Sequence, residues 1–373
     1  MEQLKDAAES LHVGGSWDTS AIVTPVIREP DEYLERGLNQ LEAGESWLLE
    51  PKMIDNNPCL WRPGIRIGVK PGSWYHKNEC FGPVLGIIRA ESFEQAIEIQ
   101  NSSDFGLTGG VHTLDPKEIE LWRETVEVGN AYINRSTTGA IVQRQPFGGW
   151  KDSCVGPGPK AGGPNYVAAF CDWAEQAPPK TAAKPAGAPA SLLSWLKSSG
   201  LASEQIESLA AAAGSYAHWW TIEFSVEHDP SQVHGETNHF RYRPRKWHML
   251  RINNEMEGAL ELAAKAAIAC VTAGVEFHIS CDKSVLWADQ LCEHVGGSVT
   301  SESNEQLAQR LGKMKGGTLR IIGDYDPQCF APATIGNIPI VRSEVLSNGR
   351  IELLNYLREQ SISETVHRYG NII

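Results

Sequence analysis

The sequence predicts an α/β fold built as two successive α/β domains. Short apolar runs typical of strands alternate with amphipathic patterns typical of helices, and layered α/β structures show this alternation. A stretch with four prolines and several alanines, residues 177–190, predicts a linker between the two parts. At 373 residues the chain is long enough for a sizeable core on each side of that linker.

The first part contains predicted helices and strands in alternation. Apolar side chains at helical spacing predict helices over residues 2–11 and 30–44. Ser92 begins a further helix with a capping-box pattern, and Asp115 followed by a proline begins another. The short apolar runs between them predict strands over residues 84–88, 109–113 and 131–134.

The second part repeats the alternation. Helices are predicted over residues 191–213, 256–272 and 350–358, and strands over residues 247–252, 275–280, 318–323 and 338–341. This order is Rossmann-like. The turn after the first strand, Asn253-Asn254-Glu255, has no Gly-x-Gly-x-x-Gly pattern and carries a carboxylate where a pyrophosphate would dock. We therefore predict a nucleotide-type fold that binds no nucleotide.

Composition and charge argue against several classes of protein. The formal net charge of −13 disfavours a general nucleic-acid-binding surface. The apolar runs are too short for a membrane span, and residues 1–5 lack the pattern of a signal peptide. The eight cysteines form no Cys-x-x-Cys pair, which predicts reduced thiols and a cytoplasmic location. His76, Glu79 and Cys80 are too close in sequence for a tetrahedral metal site, so no metal is predicted.

Residues 78–84, Asn-Glu-Cys-Phe-Gly-Pro-Val, are the first segment that suggests chemistry. An ionised carboxylate such as that of Glu79 accepts hydrogen bonds from two vicinal hydroxyls at once. Gly82 and Pro83 turn the chain so that the acid can project from a strand end. The alternative for so short a pattern is a solvated glutamate beside a turn.

Residues 136–151, Ser-Thr-Thr-Gly-Ala-Ile-Val-Gln-Arg-Gln-Pro-Phe-Gly-Gly-Trp-Lys, are the second segment. Ser136 and Thr138 provide hydroxyl donors, and Gly139 lets the backbone approach an anion closely. The alternatives are a polar loop without a ligand and, for Phe147, an ordinary core aromatic. The following run, residues 156–166, contains Pro157 and Pro159, which lack N–H donors. We interpret it as a rigid surface connection rather than a phosphate loop.

Both segments resemble signature sequences of the aldehyde dehydrogenase superfamily. Residues 136–151 resemble those of the L-glutamate γ-semialdehyde (1-pyrroline-5-carboxylate) dehydrogenase module in PutA-type bifunctional proline-catabolic proteins. Residues 238–244 and 362–372 resemble parts of the extra C-terminal aldehyde-dehydrogenase-like domain found in larger proteins of this type. The resemblance implies the C-terminal part of an aldehyde dehydrogenase catalytic domain, followed by a second Rossmann-like α/β domain.

Two domains and a linker follow from this resemblance. Residues 1–175 would be a partial aldehyde dehydrogenase domain, and residues 176–215 a Pro/Ala-rich linker with a short helix. Residues 216–373 would be a non-catalytic aldehyde-dehydrogenase-like domain with a C-terminal tail motif. That tail would pack back on the dehydrogenase module.

The resemblance also implies roles in cofactor binding. Glu79 would bind the nicotinamide ribose of NAD, and Phe81 would pack near that ribose. FAD would belong only to an absent proline dehydrogenase half. The family's nucleophilic cysteine is expected upstream of Met1, together with the dinucleotide-binding region, so no catalytic residue is assigned here and the chain alone is expected to be inactive.

Substrate binding is implied for the second segment. Gly139 and Ala140 would give main-chain donors to the α-carboxylate of L-glutamate γ-semialdehyde, with Ser136 and Thr138 as weaker candidates. Phe147 would line the aliphatic part of the substrate. The implied activity is NAD-dependent oxidation of this aldehyde to L-glutamate in proline degradation. A homo-oligomer, or association with a missing N-terminal half, is a further expectation. The alternative function is a non-catalytic scaffold or interaction protein that retains the fold.

Overall fold

The computed structural model describes residues 1–180, 183–252, 256–283, 285–323, 326–368 and 371–372. It has the predicted α/β architecture and divides into two compact units, Met1–Asp104 and Phe105–Ile373. The domain boundaries near residues 175 and 216 remain a prediction.

The first unit is a small α/β layer. Its elements are α1 (Glu2–Glu9), α2 (Glu32–Asn39), β1 (Ser46–Leu49), β2 (Lys52–Met53), β3 (Trp61–Arg62), β4 (Gly64–Ile67), α3 (Trp74–Lys77), β5 (Val84–Ile87) and α4 (Phe93–Asn101). Strands β1, β4 and β5 form a sheet in that order, in which β4 and β5 are parallel. Leu34, Leu38, Trp61 and Cys80 form the core between α2 and the loop before β5.

A buried arginine fixes α2 to this sheet. Arg66 on β4 is fully buried and pairs with Glu45 at 3.1 Å. Its guanidinium also donates to the carbonyls of Gly37 and Gln40 at 2.8 and 2.7 Å. The same group lies 4.1 Å from the ring of Tyr75. Since buried charge is tolerated only when paired and hydrogen-bonded, these contacts fix the C-terminal end of α2.

The second unit begins with elements of the first predicted part and continues through the second. Its elements are β6 (Phe105–Gly106), β7 (Thr108–Val111), α5 (Pro116–Thr125), β8 (Asn130–Ile133), β9 (Trp150–Lys151), α6 (Ala188–Leu196), α7 (Ser203–Trp219), β10 (Glu236–Pro244), β11 (Trp247–Ile252), α8 (Ala259–Ala273), β12 (Glu276–Cys281), α9 (Leu286–Val295), β13 (Ser298–Ser301), α10 (Asn304–Leu311), β14 (Thr318–Ile322), α11 (Phe330–Ile335), β15 (Ile340–Val341), α12 (Gly349–Glu352), β16 (Leu357–Thr365), β17 (His367–Arg368) and β18 (Asn371–Ile372). Short 3₁₀ turns cover Val167–Phe170, Pro327–Cys329 and Leu353–Tyr356, and a π-helical turn covers Trp220–Phe224.

A four-stranded sheet joins segments that are far apart in sequence. Its order is β10-β16-β8-β7, with β16 antiparallel to β10 and parallel to β8. Residues 361–364 of β16 lie beside residues 130–133 of β8. The sheet therefore combines strands of the first predicted part with strands of the second.

A five-stranded parallel sheet confirms the predicted Rossmann-like order. Its strands run β13-β12-β11-β14-β15, so that the first strand in sequence lies in the middle. The alanine-rich helix α8 packs on this sheet, and its residues Ala263 to Cys270 are nearly all fully buried. Small side chains allow such close contact between helix and sheet. The predicted turn at residues 253–255 lies outside the described residues.

Several predicted elements need correction. The helix predicted over residues 350–358 is wrong beyond Tyr356, because Leu357 and Arg358 already belong to β16 and pair with β10. The helical patch at residues 191–213 is two helices, α6 and α7, and α6 begins inside the predicted linker. The helix predicted over residues 30–44 is confined to Glu32–Asn39. The start of α5 is confirmed, since Asp115 caps it by accepting from the Lys117 N–H at 2.8 Å.

The described ranges contain neither a membrane-spanning helix nor a cluster of metal-ligating side chains. No helix in those ranges combines the length and the apolar character needed to cross a bilayer. Nor do three His, Cys, Asp or Glu side chains of those ranges converge as metal ligands would.

Candidate functional site

Residues 78–84 border a cleft of about 630 Å³ in the first unit. Glu79 and Phe81 lie on the loop between α3 and β5, and both line this cleft. Glu79 is exposed, so its carboxylate is accessible to a ligand in the cleft. The two residues predicted to bind the cofactor thus share one concave surface.

Phe81 has a strained backbone. Its φ of 47° lies in the left-handed region, where a bulky residue is an outlier. The side chain is 72% exposed, so packing offsets little of that strain. Such conformations cost on the order of 1–3 kcal/mol and cluster at ligand sites. The strain holds an aromatic ring at the mouth of the cleft.

Contacts on both sides hold this loop in place. The Tyr75 hydroxyl on α3 donates to the Val84 carbonyl at 2.7 Å, and the Gly64 N–H on β4 donates to the Pro83 carbonyl at 2.9 Å. A Cβ at Gly82 would lie 2.3 Å from a methyl carbon of Leu34, so any larger residue would have to displace that buried side chain. The loop is therefore closely packed against α2 and β4, while Glu79 and Phe81 stay accessible.

Most of the cysteines are poorly suited to nucleophilic attack. Burial raises the pKa of six thiols: Cys80, Cys154, Cys270, Cys281, Cys292 and Cys329. At Cys80, beside the cleft, the guanidinium of Arg66 opposes this shift but does not overcome the burial. A thiolate nucleophile requires a lowered pKa. These six side chains therefore behave as structural thiols.

Residues 136–151 leave the carboxyl end of β8, which lies between two parallel neighbours, β7 and β16. Asn134 turns the chain there with a φ of 54°, a conformation that asparagine tolerates. Its amide group exchanges two hydrogen bonds of 3.0 Å with the backbone of Thr113. Ligands of parallel α/β sheets bind at the carboxyl ends of strands, so the loop lies where a binding site is expected.

The residues from Ser136 to Ala140 are all exposed. The Ser136 and Thr138 hydroxyls are 2.8 Å apart, and the Thr138 N–H donates to Ser136 Oγ at 3.3 Å. Gly139 has a φ of 80°, and the space where a Cβ would stand is open. Within the described part of the chain, the main-chain N–H groups of Gly139 and Ala140 have no protein acceptor. Two amide donors and one of the two hydroxyl protons are thus available to an anion.

The far end of the loop is anchored through its backbone. The Pro146 carbonyl accepts from the Asn130 side chain at 3.1 Å and from the Ser361 hydroxyl at 2.7 Å. Phe147 exchanges backbone hydrogen bonds with Ala161 at 2.9 and 3.0 Å. The Phe147 side chain is nevertheless 38% exposed, so it is not an ordinary core aromatic.

A buried lysine supports the same end of the loop. Lys160 is 1% exposed, and its ammonium group donates to Asn130 Oδ1 at 3.1 Å and to the Gly148 carbonyl. Burial lowers its pKa to about 7, although the nearby Glu359 carboxylate works in the opposite direction. Most of residues 156–166 are exposed or half-buried, and only Lys160 and Asn165 are buried. The segment is therefore a surface connection that is anchored by two buried side chains.

The predicted site residues thus fall into two groups. Glu79 and Phe81 share the cleft of the first unit, whereas Ser136, Thr138, Gly139, Ala140 and Phe147 share the loop of the second unit. Sequence reasoning missed Asn130, Gln145 and Lys160, the polar residues that support the loop. Only Lys160 gave a local signal, as a cation within a run of glycines and prolines.

The family comparison covers the first unit and the beginning of the second. Residues 1–175 match the model of the aldehyde dehydrogenase family, which is just under half of the chain. This matched segment contains both motif segments and ends before the predicted linker.

Relatives with known names support the same assignment. The chain is 35% identical over 175 residues to a 1-pyrroline-5-carboxylate dehydrogenase of Geobacillus sp. and 36% identical over 173 residues to one of Bacillus subtilis. Each match covers 45% of this chain and 32% of the relative, so the chain spans about a third of the length of these relatives. A solved structure of Proline Utilization A (PutA) from Corynebacterium freiburgense is similar along the whole chain, with 41% identity and a TM-score of 0.79. The match covers 34% of that protein.

Proposed function

We propose that this chain forms part of an NAD-dependent dehydrogenase that oxidises L-glutamate γ-semialdehyde to L-glutamate in proline degradation. The observation that carries the proposal is the exposed loop at the carboxyl end of β8. It offers the N–H groups of Gly139 and Ala140 to an anion, together with one hydroxyl of the hydrogen-bonded pair Ser136 and Thr138. A carboxylate with an aliphatic tail fits this donor set with Phe147 near it.

The residues of the cleft fit a nicotinamide ribose. Glu79 provides an accessible carboxylate for vicinal hydroxyls, and the Phe81 ring provides an exposed apolar face. When bound, NAD⁺ accepts the hydride from the oxidised carbon. The residues of this chain bind and orient the reactants. Six of the eight cysteines have the raised pKa described above, and we assign the nucleophilic thiolate to none of the eight. The isolated chain is therefore proposed to be inactive.

The proposal is tested by calorimetric titration of the chain with L-glutamate, the product. Thr138→Val removes one hydroxyl of the anchor and should weaken binding about tenfold, as expected for the loss of a hydrogen bond to a charged group. Thr137→Val is the matched control, because the Thr137 methyl packs against Gly110 and its loss of a hydroxyl should not matter. Glutamic acid diamide, in which both carboxylates are replaced by uncharged amides, should not bind.

Two outcomes would count against the proposal. Equal affinities of Thr138→Val and Thr137→Val for L-glutamate would show that the Thr138 hydroxyl does not bind the carboxylate. Binding of neither L-glutamate nor NAD⁺ by the unmodified chain would favour the non-catalytic scaffold. Formation of NADH by the chain alone, abolished by replacement of one cysteine, would instead contradict its proposed inactivity.

A further inference from the structure

We propose that two residues of β10, Glu236 and Asn238, are positioning residues for the substrate loop of the second unit. The inference rests on the proposed function, because the loop in question is the one assigned to the α-carboxylate. Neither residue belongs to that loop or to the aldehyde dehydrogenase segment, residues 1–175.

The central contact is a chain of buried amides. The side chain of Gln145 accepts from the Ile141 N–H at 2.9 Å, directly after the two proposed anion donors. Its amide nitrogen donates to Asn238 Oδ1 at 2.7 Å. Gln145 and Asn238 are 2% and 1% exposed. Because no water competes with this buried bond, it fixes the turn of the loop to the strand.

Asn238 is itself held in one orientation. Its Oδ1 also accepts from the Ser363 hydroxyl on β16 at 2.8 Å, and its Nδ2 donates to Glu236 at 3.2 Å. Its backbone N–H donates to Asp229 at 2.9 Å. An amide with every hydrogen-bonding group used has little freedom to turn away, so Asn238 is a rigid acceptor for the loop.

Glu236 supports the two ends of the loop by charge. Its Oε2 lies 3.6 Å from Nη1 of Arg135, the residue before the loop's first serine, and 3.9 Å from Nη1 of Arg144. Both distances are those of ion pairs rather than close hydrogen bonds. One carboxylate therefore attracts two arginines that bracket the anion donors, and it offsets positive charge on both sides of them.

These contacts set the conformation in which the Gly139 and Ala140 N–H groups are presented together. Glu236 and Asn238 lie on the same face of β10 because side chains alternate along a strand. Thr237 between them points to the other face, which makes Thr237→Ala a matched control. We call these contacts of Glu236 and Asn238 the clamp. Without the clamp the two N–H donors would still be present, but the loop would adopt many conformations, and this weakens binding of an anion.

The first measurement is amide hydrogen exchange of residues 136–145 in the full chain. Asn238→Ala and Glu236→Gln should speed this exchange, the former about tenfold because a buried amide loses its partner. Thr237→Ala should leave it unchanged. Gln145→Ala should speed exchange at least as much as Asn238→Ala, because it removes both the bond to Asn238 and the acceptor of the Ile141 N–H. Unchanged loop exchange in Asn238→Ala, with the rest of the exchange pattern intact, would overturn the proposal.

The second measurement separates positioning from general stability. The double variant Glu236→Gln with Asn238→Asp keeps one amide and one carboxylate in contact, and it keeps an acceptor for Gln145. Compared with Asn238→Ala, it should slow exchange of the Ile141 N–H again, because Gln145 regains its acceptor, while exchange beside Arg135 and Arg144 stays as fast as in Glu236→Gln. If Asn238→Ala does not fold, this double variant and Glu236→Gln still decide, because unchanged loop exchange in Glu236→Gln, or faster exchange in the double variant than in Glu236→Gln alone, contradicts the proposal.

The two proposals fail differently. If the unmodified chain does not bind L-glutamate but loop exchange responds as described, the clamp stands and the proposed function falls. If L-glutamate binds with the same affinity in all variants and loop exchange is constant, the clamp falls and the proposed function stands.

Discussion

At the scale of single residues, two positions with unusual backbone conformation border the candidate site. Phe81 and Asn134 both have positive φ, but for different reasons. Two hydrogen bonds between the Asn134 side chain and the Thr113 backbone offset the cost of its positive φ, so the turn is stable in itself. Phe81 has no such compensation, since its ring is mostly exposed. Strain without local compensation is a feature of sites shaped for a ligand.

Replacement of Phe81 tests this strain. Phe81→Gly should unfold at a higher urea concentration than Phe81→Ala, with a difference of about 1 kcal/mol in the free energy of unfolding, because only glycine adopts the left-handed region freely. Both variants lose the same ring, so packing cancels in the comparison. Equal stability of the two, or greater stability of the alanine variant, would contradict the strain.

The residue scale also marks the limit of sequence reasoning for the site. Glu79, Phe81 and the loop from Ser136 to Ala140 were recognisable because the pattern is continuous in sequence. Asn238 was not, since its bond to Gln145 joins residues 93 positions apart. A polar residue in a strand gives no sign of which distant amide it will meet. The binding roles of Glu79, Phe81 and the loop from Ser136 to Ala140 remain predictions.

At the scale of elements, β16 connects β10, β8 and the end of the substrate loop. It lies between β10 and β8, and its nine residues pair along the whole of β10. Its Gln360 side chain donates to the Val128 carbonyl at 2.9 Å, and its Ser361 hydroxyl donates to Pro146 at the end of the loop. Removal of this central strand would leave the buried groups that its side chains contact without hydrogen-bond partners.

Truncation tests the role of β16. A chain that ends after Tyr356 should lose cooperative thermal unfolding, followed by circular dichroism, because β8 and β10 are left with unpaired edges and apolar faces. A chain that ends after Val366 keeps β16 and lacks only β17 and β18, so it should unfold as the full chain does. Cooperative unfolding of the shorter chain at the same temperature would disprove the role.

Element prediction succeeded where local signals were sufficient. The bounds of β11 were predicted correctly from an apolar run, and the start of α5 from its capping aspartate and proline. The start of β16 was assigned to a helix because Leu357 and Arg358 suit a helix as well as a strand. Pairing with β10, more than a hundred residues away, decides their structure. Local propensity carries no information about such a partner.

At the scale of the whole molecule, a network of charges joins α5 to β10 within the second unit. Arg241 pairs with Glu124 at 2.8 Å and with Glu227 at 3.0 Å, while Glu227 also pairs with Arg123 at 2.7 Å and with His239 at 3.1 Å. The hydrogen bond from His239, followed by the charges of Arg123 and Arg241, outweighs burial and lowers the pKa of Glu227 to about 2. Segments on both sides of the predicted linker are thus held together by one carboxylate.

This pKa gives the direction of an acid effect. A carboxyl group whose pKa is lower in the folded chain stabilises it fully above the ordinary value of about 4.5. That contribution is lost as the pH falls from there towards 2. Glu227→Gln should therefore flatten the pH dependence of urea unfolding between pH 5 and about 2. Glu207→Gln, an exposed site on α7, is the control, and a pH dependence that is the same in both variants would exclude the network as its cause.

The four-stranded sheet also has a consequence for synthesis on the ribosome. Val128 and Gln360, which meet beside β8, are 232 residues apart along the chain. At the usual rate of translation, the earlier segment waits on the order of ten to fifty seconds before its neighbour is made. Throughout that interval β8 lacks its neighbour β16 in the nascent polypeptide. We therefore expect chaperones to bind near β8 while the protein is still being made.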